Sequence, residues 1–266
     1  MAAEITSREN AAVKQAVKLM NNAKERRAKG RFIVEGVRLC GEAGDNGVVL
    51  HELFYTQDVY DKHTELCRKL EEKADAAYLI TESVAAKIAD TSTPQGIFCV
   101  GDIAEQTVDI VTLRPESQFI LLENIQDPAN VGAVFRTAEA LGLTGIFLSP
   151  DCCDPYNPKA LRAAMGAVFR MPYLVADPIE LLTACKAKGM RPIAAIPEGD
   201  ASKITAIRFF KGVIMCVGNE GDGLSEGLIA ACTERTTIPM RGRAESLNAA
   251  TAAAILMWEM VRNYST

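Results

Sequence analysis

A chain of 266 residues, 48% of them hydrophobic, is long enough to bury real cores and suits one small plus one medium domain. No apolar run approaches the roughly 18 to 20 residues that span a bilayer, and the N-terminus has no signal-type apolar stretch, so a soluble, cytoplasmic protein with no membrane attachment is expected. The formal net charge of −5 disfavours uniform attraction to nucleic acid, but residues 1–38 carry nine Lys/Arg against four acids, a net +5 that leaves −10 for the remainder.

In chain order, Ala11 to Asn22 reads as a helix with Val13, Val17 and Met20 on one stripe. A basic loop, Lys24 to Arg31, leads into a strand at Arg31–Val34. A helix from about Gly36, a strand near Leu53–Tyr55, a helix at Lys62 to Lys73, a short strand at Tyr78–Ile80, a helix at Ser83 to Ala89 and a strand at Gly96–Val100 follow. Strands alternating with helices make an α/β unit. Gly101, Asp102, Pro115 and several polar residues put the domain boundary within 101–117, which gives domains of 1–105 and 118–266. The second unit has strands at Phe119 to Leu122, Gly145 to Leu148, Met171 to Val175, Pro192 to Ile196 and Gly212 to Val217. Its helices fall at about Val131 to Leu141, Lys159 to Ala167, Ile179 to Lys188 and Asn248 to Arg262. There is no internal repeat.

The eight cysteines form no CxxC pair and no Cys/His cluster at zinc-ligand spacing, so reduced thiols and no metal are expected. Cys99 and Cys216 lie inside apolar strands, where a free cysteine acts as a small hydrophobe. The vicinal Cys152-Cys153 reads as an ordinary loop pair rather than a redox couple. The two histidines, His51 and His63, lie in the N-terminal half, away from every candidate motif, which argues against a histidine-dependent hydrolase or phosphodiesterase.

Chemistry concentrates near the C-terminus. The apolar run Gly212–Val217 reads as a buried parallel strand and ends in a glycine-rich turn, Gly218-Asn219-Glu220-Gly221-Asp222-Gly223. A second loop, Ile238-Pro239-Met240-Arg241-Gly242-Arg243-Ala244-Glu245-Ser246-Leu247-Asn248, precedes an alanine-rich helix. Ligands of open α/β sheets sit at such strand ends, and two facing loops of this kind make a cradle. The turn has neither the Lys-Ser/Thr ending of a P-loop nor a GxGxxG spacing. Upstream, Leu121-Leu122-Glu123-Asn124-Ile125-Gln126-Asp127-Pro128-Ala129-Asn130-Val131-Gly132 through Arg136 carries an apolar strand through a turn into a helix.

These three ordered segments, with Arg162 to Arg170 between the first and second, resemble the SpoU (TrmH-like) family of RNA ribose 2′-O-methyltransferases in the SPOUT superfamily, over about residues 118 to 264. Less specifically, Ser7-Arg8-Glu9-Asn10 through Phe32-Ile33-Val34-Glu35-Gly36 is similar to that family's smaller L30e-like α/β substrate-binding domain. The resemblance implies a C-terminal parallel-sheet SPOUT domain with a deep trefoil knot, an exception to the usual connection rules. It implies S-adenosyl-L-methionine as cofactor, ribosomal RNA of the 23S type as substrate, and a homodimer. Transfer RNA is the alternative substrate, and a non-catalytic RNA-binding protein on the same scaffold is the alternative function.

Carried over residue by residue, Gly218, Asn219, Gly223, Ile238, Met240, Leu247 and Asn248 would hold the cofactor, and Asn130, Arg136, Glu220, Ser246 and Asn248 would serve catalysis. Arg136 stays protonated, so its part is to bind the target phosphate and acidify the hydroxyl, which leaves the final proton acceptor open. Local readings stand beside these: Met240 as a core filler, Leu247 as the first core residue of the last helix, Asn130, Ser246 and Asn248 as helix caps, Glu220 as a solvated turn acid, Arg136 as a helix-surface arginine. Lys24, Arg26, Arg27, Lys29 and Arg31 are expected to touch RNA; a solvated helix face and exposed loop is the other reading of their charge. Ala164 and Ala249 depart mildly from the family pattern, where Ser and Val are common.

Overall fold

A computed structural model describes residues 2–103, 108, 113–114, 116–197, 201–209, 212–244 and 246–262. Most of the 101–117 segment expected to hold the domain boundary lies outside the described residues, as does Glu245. The chain divides into two compact units, Met1–Glu105 with Asp154–Arg170, and Gln106–Cys153 with Met171–Thr266. Among the described residues no helix is long and apolar enough to cross a membrane.

The first unit runs β1 (Ala3–Ile5), α1 (Ala11–Asn21), α2 (Ala23–Lys29), β2 (Arg31–Glu35), α3 (Val37–Asp45), β3 (Leu50–Tyr55), α4 (Gln57–Lys62), α5 (Thr64–Glu71), β4 (Ala74–Ile80), α6 (Glu82–Ile88) and β5 (Ile97–Asp102). Its described strands form a mixed five-stranded sheet ordered β1-β4-β3-β5-β2, with β5 antiparallel to both neighbours. Asn10 caps α1, its Oδ1 accepting from Ala12 N at 2.8 Å, and Val13, Ala16, Leu19 and Met20 go into the core against Phe54, Phe98 and α6.

Three local expectations change here. The basic segment after Asn22 is a helix, not a loop: Asn22 Oδ1 accepts from Lys24 N and Glu25 N, Gly30 closes the end at φ +62°, and the residues between are strong helix formers. The helix expected at Lys62–Lys73 is α5 (Thr64–Glu71), and an unexpected short helix, α4, precedes it, the two separated where His63 leaves helical geometry at φ −132°. The short edge strand β1 pairs with β4 without an apolar run to announce it.

The second unit runs β6 (Gln118–Leu122), α7 (Pro128–Ala140), β7 (Gly145–Leu148), β8 (Tyr173–Val175), α9 (Pro178–Ala187), β9 (Arg191–Ala195), β10 (Ser202–Lys203), β11 (Val213–Val217), α10 (Glu226–Ala231), β12 (Glu234–Thr237) and α11 (Ala249–Val261); α8 (Pro158–Ala164) belongs to the other unit. All its described strands are parallel, in the order β10-β12-β9-β11-β6-β7-β8. β6 and β11 are fully buried and lie side by side in the middle, Leu122 opposite Val217. Continuous apolar strands of this sort are what a parallel sheet covered on both faces requires. The alanine-rich α11 packs on α7, β11 and β6 through Ala249, Ala253, Leu256, Met257 and Met260.

The segment Asp154–Arg170 packs on the first unit although its neighbours in sequence belong to the second. Its α8 is capped by Asn157 and started by Pro158, then Met165 at φ +52° and Gly166 at φ +90° turn it into a 3-10 turn at Ala167–Phe169. Phe32 of β2 lies between Tyr156 and Phe169, with ring centroids 4.8 and 5.4 Å away. Arg170 pairs with Glu42, and Arg162 Nη2 reaches Asp90 Oδ2 at 2.9 Å.

Arg26 is the keystone of this docking and is therefore withdrawn from the RNA-contacting set. It is 2% exposed; its Nε donates to Asp154 Oδ2 at 2.7 Å and its Nη1 to the Leu19 and Met20 carbonyls that end α1. Breaking a buried pair strands the other charge, so Arg26→Ala should lower unfolding stability by about 3 kcal/mol, whereas Arg27→Ala, fully at the surface, should fall within about 0.5 kcal/mol. Urea unfolding of both variants checks this; equal midpoints would contradict it.

Candidate active site

The carboxyl ends of three neighbouring strands and the entry to a helix build one cavity of about 610 Å³. Ala195–Pro197 follow β9, Val217–Leu224 follow β11, Ile238 and Met240 follow β12, and Ser246, Leu247 and Ala249 enter α11. This is where open α/β sheets take ligands, and the size falls within the usual range of about 300 to 1,000 Å³. Of the residues expected to hold a cofactor, Gly218, Asn219, Gly223, Ile238, Met240 and Leu247 line it; Asn248 stands beside it, joined to the network described below. Met240 and Leu247 are half-buried cavity wall rather than core, which removes their packing-only readings.

The glycine turn is held by its own chemistry. Asn219 Oδ1 accepts from Gly221 N at 2.9 Å and Asp222 N at 2.7 Å, and Gly223 N returns to Asn219 O at 3.2 Å. A Cβ on Gly218 would lie 2.1 Å from the Gly223 carbonyl, so nothing larger fits there. Sequence reasoning missed the residue that fixes both ends of this turn. Glu123, just past β6, donates its N–H to Val217 O at 2.9 Å, while its carboxylate accepts from Ser225 N and Ser225 Oγ, each at 2.7 Å. The available signal was a lone acid directly after the apolar run Phe119–Leu122. Ile196 and Pro197 were missed too, and β12 and α10 with them, because Glu234–Thr237 is polar and α10 is barely two turns long.

Three side chains from the three sequence motifs form one network. Asn130 is 7% exposed; its Nδ2 donates to Glu220 Oε1, and its Oδ1 accepts from Asn248 Nδ2 at 3.0 Å. Asn130 is not the cap of its helix: α7 starts at Pro128 and is capped by Asp127, whose Oδ1 accepts from Ala129 N at 3.1 Å, which frees the Asn130 amide. Asn248 caps α11, as its local reading expected, by accepting from Ala250 N and Thr251 N, and it also donates to Asn130, a contact the sequence did not announce. Glu220 is exposed in the turn, lines the cavity and is bonded to Asn130.

Arg136 lies on the same helix as Asn130, exposed, outside the cavity lining. Ser246 lines the cavity, exposed, and does not cap α11. Lys24, Arg27 and Lys29 are exposed on α2, in the first unit; Arg31 is half-buried on β2 with its Nε 3.7 Å from Asp102. All eight cysteines are free. Burial pushes the Cys152 thiol up, and its sulfur donates to Leu122 O at 3.2 Å. Among the described residues no group of three His, Cys, Asp or Glu side chains is placed to hold a metal ion.

Comparison with known proteins gives concordant matches. Residues 117–258 match the SpoU rRNA Methylase family, and residues 10–99 match an MRM3-like substrate binding domain. The chain is 32% identical to an uncharacterized tRNA/rRNA methyltransferase of Synechocystis, covering 98% of this chain and 94% of that one. It is 30% identical to the 23S rRNA (guanosine(2553)-2′-O)-methyltransferase of Bacillus subtilis, covering 97% and 98%. Among solved structures it resembles the AdoMet-bound rRNA methyltransferase of Sinorhizobium meliloti, with a TM-score of 0.88 at 26% identity over 100% of this chain and 99% of that one. It also resembles the SpoU methyltransferase AviRb of Streptomyces viridochromogenes in complex with AdoMet, with a TM-score of 0.85 at 26% identity over 96% and 98%.

If Glu123 staples the glycine turn, Glu123→Ala should speed amide exchange across Gly218–Leu224 while lowering global stability by only about 1 kcal/mol. Exchange rates in the turn equal to those of the unaltered protein would contradict the staple.

Proposed function

The chain belongs to the SpoU rRNA methylase family, and from that premise we propose that it transfers a methyl group from S-adenosyl-L-methionine to a ribose 2′-hydroxyl of ribosomal RNA of the 23S type. The observation that carries this reading is the cavity at the strand ends with the Glu220–Asn130–Asn248 network built into its edge. The residues fit the cofactor. Gly218, whose turn closes too tightly on Gly223 for any Cβ, brings bare backbone to the cavity lining, and Ile196, Ile238 and Leu247 offer apolar flanks for an adenine.

The cofactor supplies a methyl group already activated on a sulfonium. What remains for the protein is alignment and charge. Holding reacting atoms about 3 to 3.5 Å apart in line removes much of the barrier. Glu220, fixed by Asn130, sets the wall on which the turn presents the donor, and Asn248 ties the α11 terminus to the same point. Arg136, always cationic, binds the phosphate of the target nucleotide and lowers the pKa of its 2′-hydroxyl. Ser246, exposed at the cavity rim, meets the incoming ribose.

Residues 1–105 serve as the RNA-binding domain and 118–266 as the methyltransferase domain. Exposed Lys24, Arg27 and Lys29 provide phosphate contacts, with Arg31 beside them. The insertion of β11 between β9 and β6, with α11 returning against α7, supports a knotted C-terminal segment. Trp258, 55% exposed, and Ile255 leave an apolar face on α11, which supports a homodimer. The site of action is the cytoplasm.

Incubation with labelled S-adenosylmethionine and either 23S rRNA or transfer RNA transcripts tests the reading: label should enter ribosomal RNA and make one linkage resistant to alkaline cleavage. Label on a base would overturn it, and label in transfer RNA alone would replace the substrate. Arg136→Ala should keep cofactor affinity within about twofold yet lose about 100-fold in turnover, read by calorimetry and single-turnover transfer; unchanged turnover removes its role. Replacing Lys24, Arg27 and Lys29 together by Gln should weaken RNA binding and reduce its logarithmic salt slope by about 2 to 3, and an unaltered slope would place the contacts elsewhere.

A further inference from the structure

Two thiols meet behind the cavity and take no part in the chemistry above. Cys216 lies in β11, wholly buried, two residues before Gly218; Cys232 follows α10 and is half-buried. Their sulfurs share a hydrogen bond at 3.8 Å. The Cys232 side opens on a second cavity of about 510 Å³, lined with it by Ser202, Ile229, Thr233, Glu234 and Arg235. Cys40 and Cys99 also interact, but both are wholly buried in the first unit.

We propose that Cys232 is a site of modification by peroxide and that Cys216 is its resolving thiol, the pair closing into an internal disulfide. The Cys232 sulfur attacks one peroxide oxygen: the S–O bond forms, the O–O bond breaks, and the departing hydroxide leaves as water. The Cys216 sulfur then displaces the sulfenic oxygen, so that the S–S bond forms, the S–O bond breaks and a second water carries off its proton. Two thiols are oxidised by two electrons and one peroxide is reduced to two waters.

The order of events follows from the surroundings. Cys232 is held below the usual thiol range by its hydrogen bond with Cys216, and Lys186 and Arg235 add to this; Lys186 Nζ sits on the Ala231 carbonyl at 2.9 Å. Cys216 is pushed up by the same hydrogen bond and by burial, so it keeps its proton. Thiolate character and access select the first sulfur to react, and both point to Cys232.

Closure has a mechanical consequence. A disulfide needs about 2.05 Å between sulfurs, well short of the 3.8 Å present. β11 is bonded on both sides, to β6 and β9, so the movement falls on the turn after α10. Cys232 N–H is bonded to the carbonyls of Leu228 and Ile229, and Ile229 lines both cavities. Oxidation therefore displaces a wall of the cofactor cavity, a consequence that rests on the function proposed above.

The test uses the full chain treated with a few equivalents of hydrogen peroxide, alkylated and digested with trypsin. Lys211 and Arg235 bound a peptide, Gly212 to Arg235, that holds these two cysteines and no other. It should lose about 2 Da, take up no alkyl group, and recover both alkylation sites after dithiothreitol. Cys216→Ser should leave a sulfenic acid at Cys232 that dimedone traps, whereas Cys232→Ser should leave Cys216 unoxidised. Full alkylation of the treated wild-type peptide, or oxidation at Cys216 in Cys232→Ser, overturns the proposal. Calorimetry should show S-adenosylmethionine binding about tenfold weaker in the oxidised form and restored on reduction. Equal affinity with the disulfide formed removes the coupling to the cavity. A reduced protein that binds no S-adenosylmethionine counts against the proposed function instead, and the peptide masses still decide the thiol site.

Discussion

The carboxamide of Asn130 has one carbonyl oxygen and one NH2 group, and both are engaged. Its N–H goes to Glu220, 90 residues on, and its oxygen to Asn248, 118 residues on. A buried amide left without partners costs about 1 to 3 kcal/mol, so the fold that satisfies Asn130 must bring the three segments to one point. Everything attributed to the site depends on that convergence. It seats the glycine turn, the α11 terminus and the start of α7 around a single edge of the cavity.

Around that point the scaffold works by removing freedom. β6 and β11 are buried and paired, so Leu122 and Val217 deliver their successors to fixed positions. Glu123 then takes both ends of the turn between Val217 and Ser225, and Asn219 fixes its middle. In the loop between β6 and α7, Asn124 adopts φ +55°, a conformation asparagine tolerates, with its N–H on Ser149 Oγ at 2.9 Å. Asp127 takes over the capping that Asn130 would otherwise perform. Polar residues that look interchangeable in the sequence thus divide into those that shape loops and those left free for a ligand.

The alternation of strands and helices, the apolar parallel strands and the identity of the cavity wall were legible from periodicity and from the three motifs. What escaped had physical causes. The Ala23–Lys29 stretch has no apolar stripe, so its helix rests on the Asn22 cap and on propensity, both weak as local signals. Arg26 looks like its exposed neighbours Lys24 and Arg27, and only the distant Asp154 makes it a core residue. The docking of Asp154–Arg170 on the first unit depends on Phe32 meeting Tyr156 and Phe169, a pairing no spacing rule encodes. Glu234–Thr237 is too polar to read as an inner strand, yet Thr236 is completely buried, its hydroxyl donated to Ser202 O.

The most direct measurement is diffraction from crystals grown with S-adenosylhomocysteine. Its density is expected inside the cavity, with the adenine against Ile238 and Leu247 and the backbone of Gly218 beside it, and the sulfur directed toward Glu220. Density bound at any other place on the chain, with this cavity holding only solvent, would contradict that placement.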